Sequence, residues 1–358
     1  MTRSRRMPRL AWLGLALALG CVPACQLTDL RLWTAPQPAA DACEVMEVRG
    51  IAYSSGPAAD ACRRHRLDLF LPRGVLDFPV VVFIHGGAWC TGDNHFWGLY
   101  PAVAQCLARQ GIGVVMPNYR LSPDAKHPDH IRDVACAFRW AHDHIAEYGG
   151  CPDQLIVAGH SAGGHLAALL ATNPCWLEAE GLSSSDIKGV IAVSGVYHVT
   201  QGPINATLGG DSPLAFRLDE LLPMRGGSGH GPLALLPGIP FHLDLYGRVF
   251  GGEADREAAS PLTHVRSGLP PFLLFGADND LPTLPTGAEE FCAALRAAGC
   301  EAQLVKVDDR NHDSIMFRAI DPADPVAAGM VSFIRQQTQT RSRTSNDGPS
   351  TKPLAWGS

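Results

Sequence analysis

The sequence predicts an α/β fold, a mostly parallel central sheet with helices on both faces and a cap insertion, and three observations carry that reading. Strand-like apolar runs and helical stretches alternate from about residue 79 to residue 336, the pattern of repeated crossover connections. Pro79 to Ile84 is a continuous apolar run, which suits a central strand buried on both faces. Finally, Leu155-Ile156-Val157-Ala158 leads into Gly159-His160-Ser161-Ala162-Gly163 and then an Ala/Leu-rich stretch, which reads as strand, tight turn and helix.

With 358 residues, 46% hydrophobic and 18% charged, the chain can bury the large core of a single domain. A formal net charge of -6 gives no basic face for nucleic acid, so a small-molecule partner is expected. Arg3, Arg5, Arg6 and Arg9 precede the apolar run Leu10 to Leu19, which spans only about half a bilayer core at 1.5 Å per residue. This is a signal-peptide pattern over residues 1–25, and it implies an exported protein. Val22-Pro23-Ala24 fits signal-peptidase chemistry, while Cys21 and Cys25 each end a loose lipobox. Simple secretion and a membrane tether by N-terminal lipidation therefore both stand.

Residues 26–42 read as a Pro- and Ala-rich tether. Two short strands are expected between Cys43 and Pro72, the second over Arg66 to Leu71. After the Pro79–Ile84 strand come a helix at Phe96 to Gln110, a strand at Ile112 to Met116, a helix at Asp129 to Tyr148 and the strand before Ser161. A helix at Ala162 to Ala171 and strands at Gly189 to Ser194 and Phe272 to Phe275 follow. The chain then predicts a helix at Thr286 to Ala298, a strand at Ala302 to Val307 and a last helix at Pro325 to Gln336. Residues 197–260 break the alternation with a Gly-, Pro- and Leu-rich insertion, expected to form a cap or pocket wall. Residues 337–358 lack periodicity and read as a disordered tail.

Nine cysteines lie beyond the leader and fit an oxidising compartment. Cys292 and Cys300 are close enough along the chain to bridge, and Cys43 with Cys62 could close a loop, whereas Cys106 and Cys136 read as packing residues. No paired Cys-x-x-Cys pattern supports zinc, and His127, His130, His142 and His144, near or on one polar helix, lack a carboxylate-bearing ligand geometry. Neither metal nor cofactor is expected.

The chemistry starts from the elbow. A serine hydroxyl needs a base to take its proton, and the base needs an anion to fix its tautomer and balance its developing charge. With a Gly-x-Ser-x-Gly elbow the chain order is Ser, then Asp or Glu, then His, each partner in a loop after a later strand. His312, in the polar turn before the last helix, is the only histidine after His264 and is the base that this order selects. His160 adjoins the serine, but adjacent side chains on a sharp elbow diverge. The acid should follow Phe272 to Phe275, where Asp278 and Asp280 both stand; Asp280 is preferred, with Asp278 shaping the turn. His85-Gly86-Gly87-Ala88-Trp89 follows the central strand and offers backbone N–H groups which, with that of Ala162, would face an oxyanion.

Taken together, His85 to Trp89, Pro117 to Pro123, Gly159 to Gly164, Ala277 to Leu281 and Asn311-His312 make the chain resemble an α/β-hydrolase of the carboxylesterase group with a His-Gly-Gly-x-Trp loop. Its neighbourhood is that of hormone-sensitive-lipase-like esterases, feruloyl esterase-like domains and kynurenine formamidases. The resemblance covers roughly residues 65 to 335. It implies Ser161 as nucleophile, Asp280 as acid, His312 as base and Gly87, Ala88 and Ala162 as oxyanion-hole donors. Two departures are Ala88, where a third glycine is common in this group, and His198, where an aspartate is common. The implied function is cofactor-free hydrolysis of carboxylic esters through an acyl-enzyme. A formamidase-type amide hydrolase and a catalytically silent binding protein are the alternatives.

Overall fold

The computed structural model describes residues 42–54, 63–199 and 245–339. Eight strands form one sheet in the order β1-β2-β4-β3-β5-β6-β7-β8. Strands β1 (Val45–Ala52) and β2 (Arg66–Pro72) enter antiparallel, and β2 pairs antiparallel with β4 (Gly113–Pro117). From there β4, β3 (Phe78–Ile84), β5 (Gly150–His160), β6 (Ile187–Val193), β7 (Phe272–Asn279) and β8 (Ala302–Asn311) are all parallel. The mostly parallel sheet read from the sequence is thus the one observed. Its apolar run at β3 lies between β4 and β5, with Val80 to Ile84 at 2% exposure or less.

The strands bury both faces because alternate side chains point to opposite sides. Val80, Val82 and Ile84 join Leu155 and Val157 in one core, closed by α2 (Asp129–His144), α3 (Ala162–Thr172) and α7 (Leu284–Ala297). Val81 and Phe83 face the other core, closed by α1 (Leu99–Arg109) and α9 (Pro325–Gln339). The remaining short helices are α4 (Cys175–Ala179), α5 (Leu245–Phe250), α6 (Glu253–Ala258) and α8 (Ser314–Phe317).

Several boundaries differ from the sequence reading. The helices expected at Phe96 and through Tyr148 carry 3-10 turns at Phe96–Gly98 and Ile145–Tyr148, so the α-helical parts are shorter. The last helix continues to Gln339, past its expected end. Within the expected 197–260 insertion, α5 and α6 are helical despite the surrounding Gly and Pro, and His198 is exposed. The expected leader (1–25), nearly all of the tether, most of the insertion and the tail beyond Gln339 lie outside the described residues.

Cys292 and Cys300 are both free and buried rather than bridged, and the Cys300 thiol donates to the Arg266 carbonyl at 3.1 Å. Cys62 lies outside the described residues. Helix α2 is amphipathic rather than polar throughout. His130 is buried, while His142 and His144 pair with Asp143 and Glu147 nearer the surface. Among the described residues no three His, Cys, Asp or Glu side chains converge as a metal site.

Candidate active site

Five adjacent parallel strands, β3, β5, β6, β7 and β8, each end directly before a residue of the site: His85, Ser161, Ser194, Asp280 and His312. This is where a sheet of this kind gathers chemistry, because the chain leaves each strand's carboxyl end on one edge. The apolar pattern predicts that β7 ends at Phe275 and β8 at Val307, where polar residues follow. Backbone pairing carries both strands on, with Asn279 opposite Asn311 across a register shift.

Ser161 caps α3 with φ +55° and ψ -119°, a backbone that a non-glycine residue adopts only at a cost of about 1–3 kcal/mol. Its own N–H donates to the Val193 carbonyl at 2.8 Å, and its carbonyl accepts from His165 N–H at 3.0 Å. The glycines on either side are steric necessities. A Cβ on Gly159 would fall 2.3 Å from the Gly163 backbone, and one on Gly163 would fall 2.1 Å from the Ile84 carbonyl oxygen. Strand β5, strand β3 and helix α3 approach this closely only because those side chains are absent.

The Ser161 hydroxyl lies 2.8 Å from His312 Nε2, and His312 Nδ1 lies 2.7 Å from Asp280 Oδ1. The Asp280 side chain is 1% exposed and that of His312 15%. Burial raises the Asp280 carboxyl, but hydrogen bonds from His312 and Ser194 outweigh it and hold the group below its ordinary range. Leu281 N–H also donates to Oδ1, at 2.8 Å, and the Ser194 hydroxyl donates to Oδ2. Asp278, in contrast, is exposed and accepts from the N–H groups of Asp309, at 3.0 Å, and Arg310, at 2.9 Å, clamping the ends of β7 and β8 together.

The His85–Trp89 loop is pinned from several sides. His85 stacks on Tyr119 with ring centroids 4.3 Å apart, and the Tyr119 hydroxyl donates to the His85 carbonyl at 3.1 Å. Gly87, Ala88 and Trp89 all have positive φ, and the Gly87 carbonyl accepts from the N–H groups of Cys90 and Thr91. Only glycine fits at position 87, since a Cβ would sit 2.2 Å from the Thr91 oxygen. Neither Gly87 nor Ala88 N–H donates to another described group, and Ala162 N–H, in the first turn of α3, has no helical acceptor. Trp89 is buried; its Nε1–H donates to His165 Nδ1 at 3.2 Å, and His165 Nε2–H donates to the Ala259 carbonyl at 2.7 Å. Phe250 and Tyr246 of α5 pack edge-on to the same indole. Burial pushes the His165 imidazole down to about 3, so it stays neutral in this bridge.

The structure thus brings Ser161, His312 and Asp280 into one hydrogen-bonded series and leaves Asp278 outside it. Sequence reasoning missed Ser194 and His165. Ser194 was visible as a polar residue directly after the apolar run of β6, and His165 as the residue one helical turn after Ser161.

A mostly parallel sheet flanked by helices on both faces, with a strained serine between strand and helix, is the arrangement of the α/β-hydrolase fold. The chain belongs to that fold, and residues 67–210 match the BD-FAE family model, a hormone-sensitive-lipase-like α/β-hydrolase family. It is similar to the isoprenylcysteine alpha-carbonyl methylesterase ICME of Arabidopsis thaliana, at 26% identity over 86% of this chain and 65% of that protein. Esterase LipQ of Mycobacterium tuberculosis is 32% identical over 62% of this chain and 46% of its own length. The chain therefore spans about half to two thirds of these curated relatives. Among solved structures, Esterase B from Lactobacillus rhamnosis superposes with a TM-score of 0.65 at 20% identity, over 93% of this chain and 94% of that one.

Proposed function

We propose that this protein is a serine hydrolase that cleaves carboxylic esters through an acyl-enzyme. The observation that carries the reading is the continuous series Ser161 Oγ, His312 and Asp280, with contacts of 2.8 and 2.7 Å. Ser161 attacks the ester carbonyl as His312 Nε2 takes the hydroxyl proton. Asp280, ionised and shielded from water, holds Nδ1–H and balances the charge that forms on the ring. The tetrahedral oxyanion is received by the N–H groups of Gly87, Ala88 and Ala162. His312 then protonates the leaving alcohol, and water repeats the sequence to release the acid. No step calls on a cofactor. The named esterase relatives support esters over amides as substrates.

Ser161→Ala should abolish turnover of an activated short-chain aryl ester by purified protein, and undiminished turnover overturns the assignment. The Arg-rich, apolar leader supports export, either as a free protein or as one lipidated at Cys21 or Cys25. Fractionation of expressing cells with sequencing of the mature N-terminus tests this; an intact N-terminus in the cytoplasmic fraction contradicts it.

A further inference from the structure

The series Ser161–His312–Asp280 uses one imidazole, yet a second lies against it. His160 immediately precedes the serine and is buried, at 5% exposure. The ring centroid is 5.0 Å from that of His312. His160 Nε2 is 2.9 Å from the backbone carbonyl oxygen of His312, and Nδ1 is 3.2 Å from the hydroxyl of Tyr100 on α1. The same hydroxyl accepts the Gly86 N–H at 2.8 Å.

The proton assignment follows from what each atom can do. The His312 carbonyl only accepts, so the proton of neutral His160 sits on Nε2. Nδ1 is then an acceptor, and Tyr100 gives it its one proton while receiving the Gly86 N–H on a lone pair. Every group in the chain is used once: Gly86 N–H to Tyr100 O, Tyr100 O–H to His160 Nδ1, and His160 Nε2–H to His312 O. Burial, followed by the neighbouring His312, pushes the His160 imidazole down to about 3, in keeping with the neutral ring that this chain requires.

The two ends of the chain are the parts of the site that must stay in register. Gly86 precedes Gly87 in the oxyanion loop, and His312 is the base. Asp280 fixes the side chain of His312, whereas the contact from His160 fixes its main chain. A Cβ on Gly86 would lie 2.8 Å from the Tyr100 oxygen and 3.0 Å from the His160 carbonyl, so this loop, α1 and the elbow meet without spare room.

We propose that Tyr100 and His160 are positioning residues, a buried hydrogen-bonded strut between the oxyanion loop and the base loop that sets the distance between the two halves of the reacting site. The proposal rests on the ester-hydrolase reading. Displacements of about 1 Å at reacting atoms can cost about 100-fold in rate, so loss of the strut should appear in kcat. It should leave substrate binding nearly unchanged, because both side chains are buried, Tyr100 at 3% and His160 at 5% exposure.

The test compares wild type, Ser161→Ala, Tyr100→Phe, His160→Phe, His160→Gln and the Tyr100→Phe/His160→Phe double variant, with p-nitrophenyl butyrate turnover and thermal midpoints measured on each. Tyr100→Phe and His160→Phe should each lower kcat about 10- to 100-fold with KM changed less than about twofold. His160→Gln, whose carboxamide can still donate to His312 O and accept from Tyr100, should recover most of the loss. The double variant should cost no more than the worse single one, because either change breaks the same strut. If His160→Phe fails to fold, Tyr100→Phe, which removes a single oxygen, decides alone. Unchanged kcat in folded Tyr100→Phe, no rescue by Gln, or additive losses overturn the strut. An active wild type with an inactive Ser161→Ala keeps the ester reading standing in that case, whereas a wild type without ester turnover overturns both.

Discussion

Replacing Ser194 by Ala removes one oxygen from the centre of the proposed mechanism. Ser194 sits buried at the carboxyl end of β6 with φ +48°, and its hydroxyl donates to Asp280 Oδ2. The Asp280 side chain is 1% exposed, so water cannot readily replace the lost donor. A hydrogen bond to a buried charged group contributes about 1.5–3 kcal/mol. Asp280 balances an imidazolium that exists only as the reaction proceeds, so the loss falls on kcat rather than KM. At about 1.36 kcal/mol per tenfold, the expected decrease is about 10- to 160-fold. The same change acts on protonation. Burial raises the Asp280 carboxyl while His312 and Ser194 together lower it further, so its folded value lies below the unfolded one. The stability gained from that difference is present above the unfolded value and is lost as pH falls through the folded value. Without Ser194 the folded value rises, so both activity and stability should begin to fail at a higher pH than in wild type. Turnover of p-nitrophenyl butyrate by both proteins from pH 4 to 8, with thermal midpoints at each pH, measures this. A folded Ser194→Ala protein with wild-type kcat and an unmoved acid limb would refute the reasoning.

Gly163→Ala adds a Cβ 2.1 Å from the Ile84 oxygen and 2.6 Å from the His85 oxygen, both backbone atoms that cannot yield without moving β3. It should destabilise by more than about 3 kcal/mol and leave little soluble, active protein; circular dichroism melts check this. Asp324→Asn strands the Arg310 guanidinium, whose ion pair with Asp324 is 2.8 Å long between side chains 10% and 4% exposed. Breaking a buried pair from one side costs about 3–5 kcal/mol, which urea unfolding would read as a lowered midpoint at unchanged m-value. Because Arg310 lies two residues before His312, kcat should fall as well.

Most of the architecture was legible because one physical signal repeats along the chain. Val80 to Ile84 and Leu155 to Ala158 are apolar without interruption, since a parallel sheet buries both faces of its strands. The elbow was legible because Gly159 and Gly163 are demanded by backbone contacts at 2.3 and 2.1 Å, and a steric demand of that kind writes itself into residue type. Strand ends were less legible. Asp278 and Asn279 of β7, and Asp308 to Asn311 of β8, are polar where the strands run out toward solvent, so periodicity stops before the hydrogen bonding does. The supporting polar residues were least legible. Tyr100, Ser194 and His165 lie 60, 86 and 94 residues from the partners His160, Asp280 and Ala259 that give them purpose, so their local positions mark Ser194 and His165 only as polar residues near the elbow and the end of β6 and do not name those partners. Nearness along the chain leaves a Cys292–Cys300 bridge possible in the sequence, but both thiols are free within one core, and the Cys300 thiol donates to the Arg266 carbonyl at 3.1 Å instead.

The proposed mechanism depends above all on Ser161 acting as a nucleophile activated by His312. Incubating the protein with a fluorophosphonate and locating the adduct by peptide mass spectrometry tests it most directly. The predicted result is one phosphonyl group per chain, on Ser161, appearing in step with loss of ester turnover and slowed at least about 100-fold by His312→Ala. An unlabelled Ser161, or labelling that His312→Ala leaves undiminished, would contradict it.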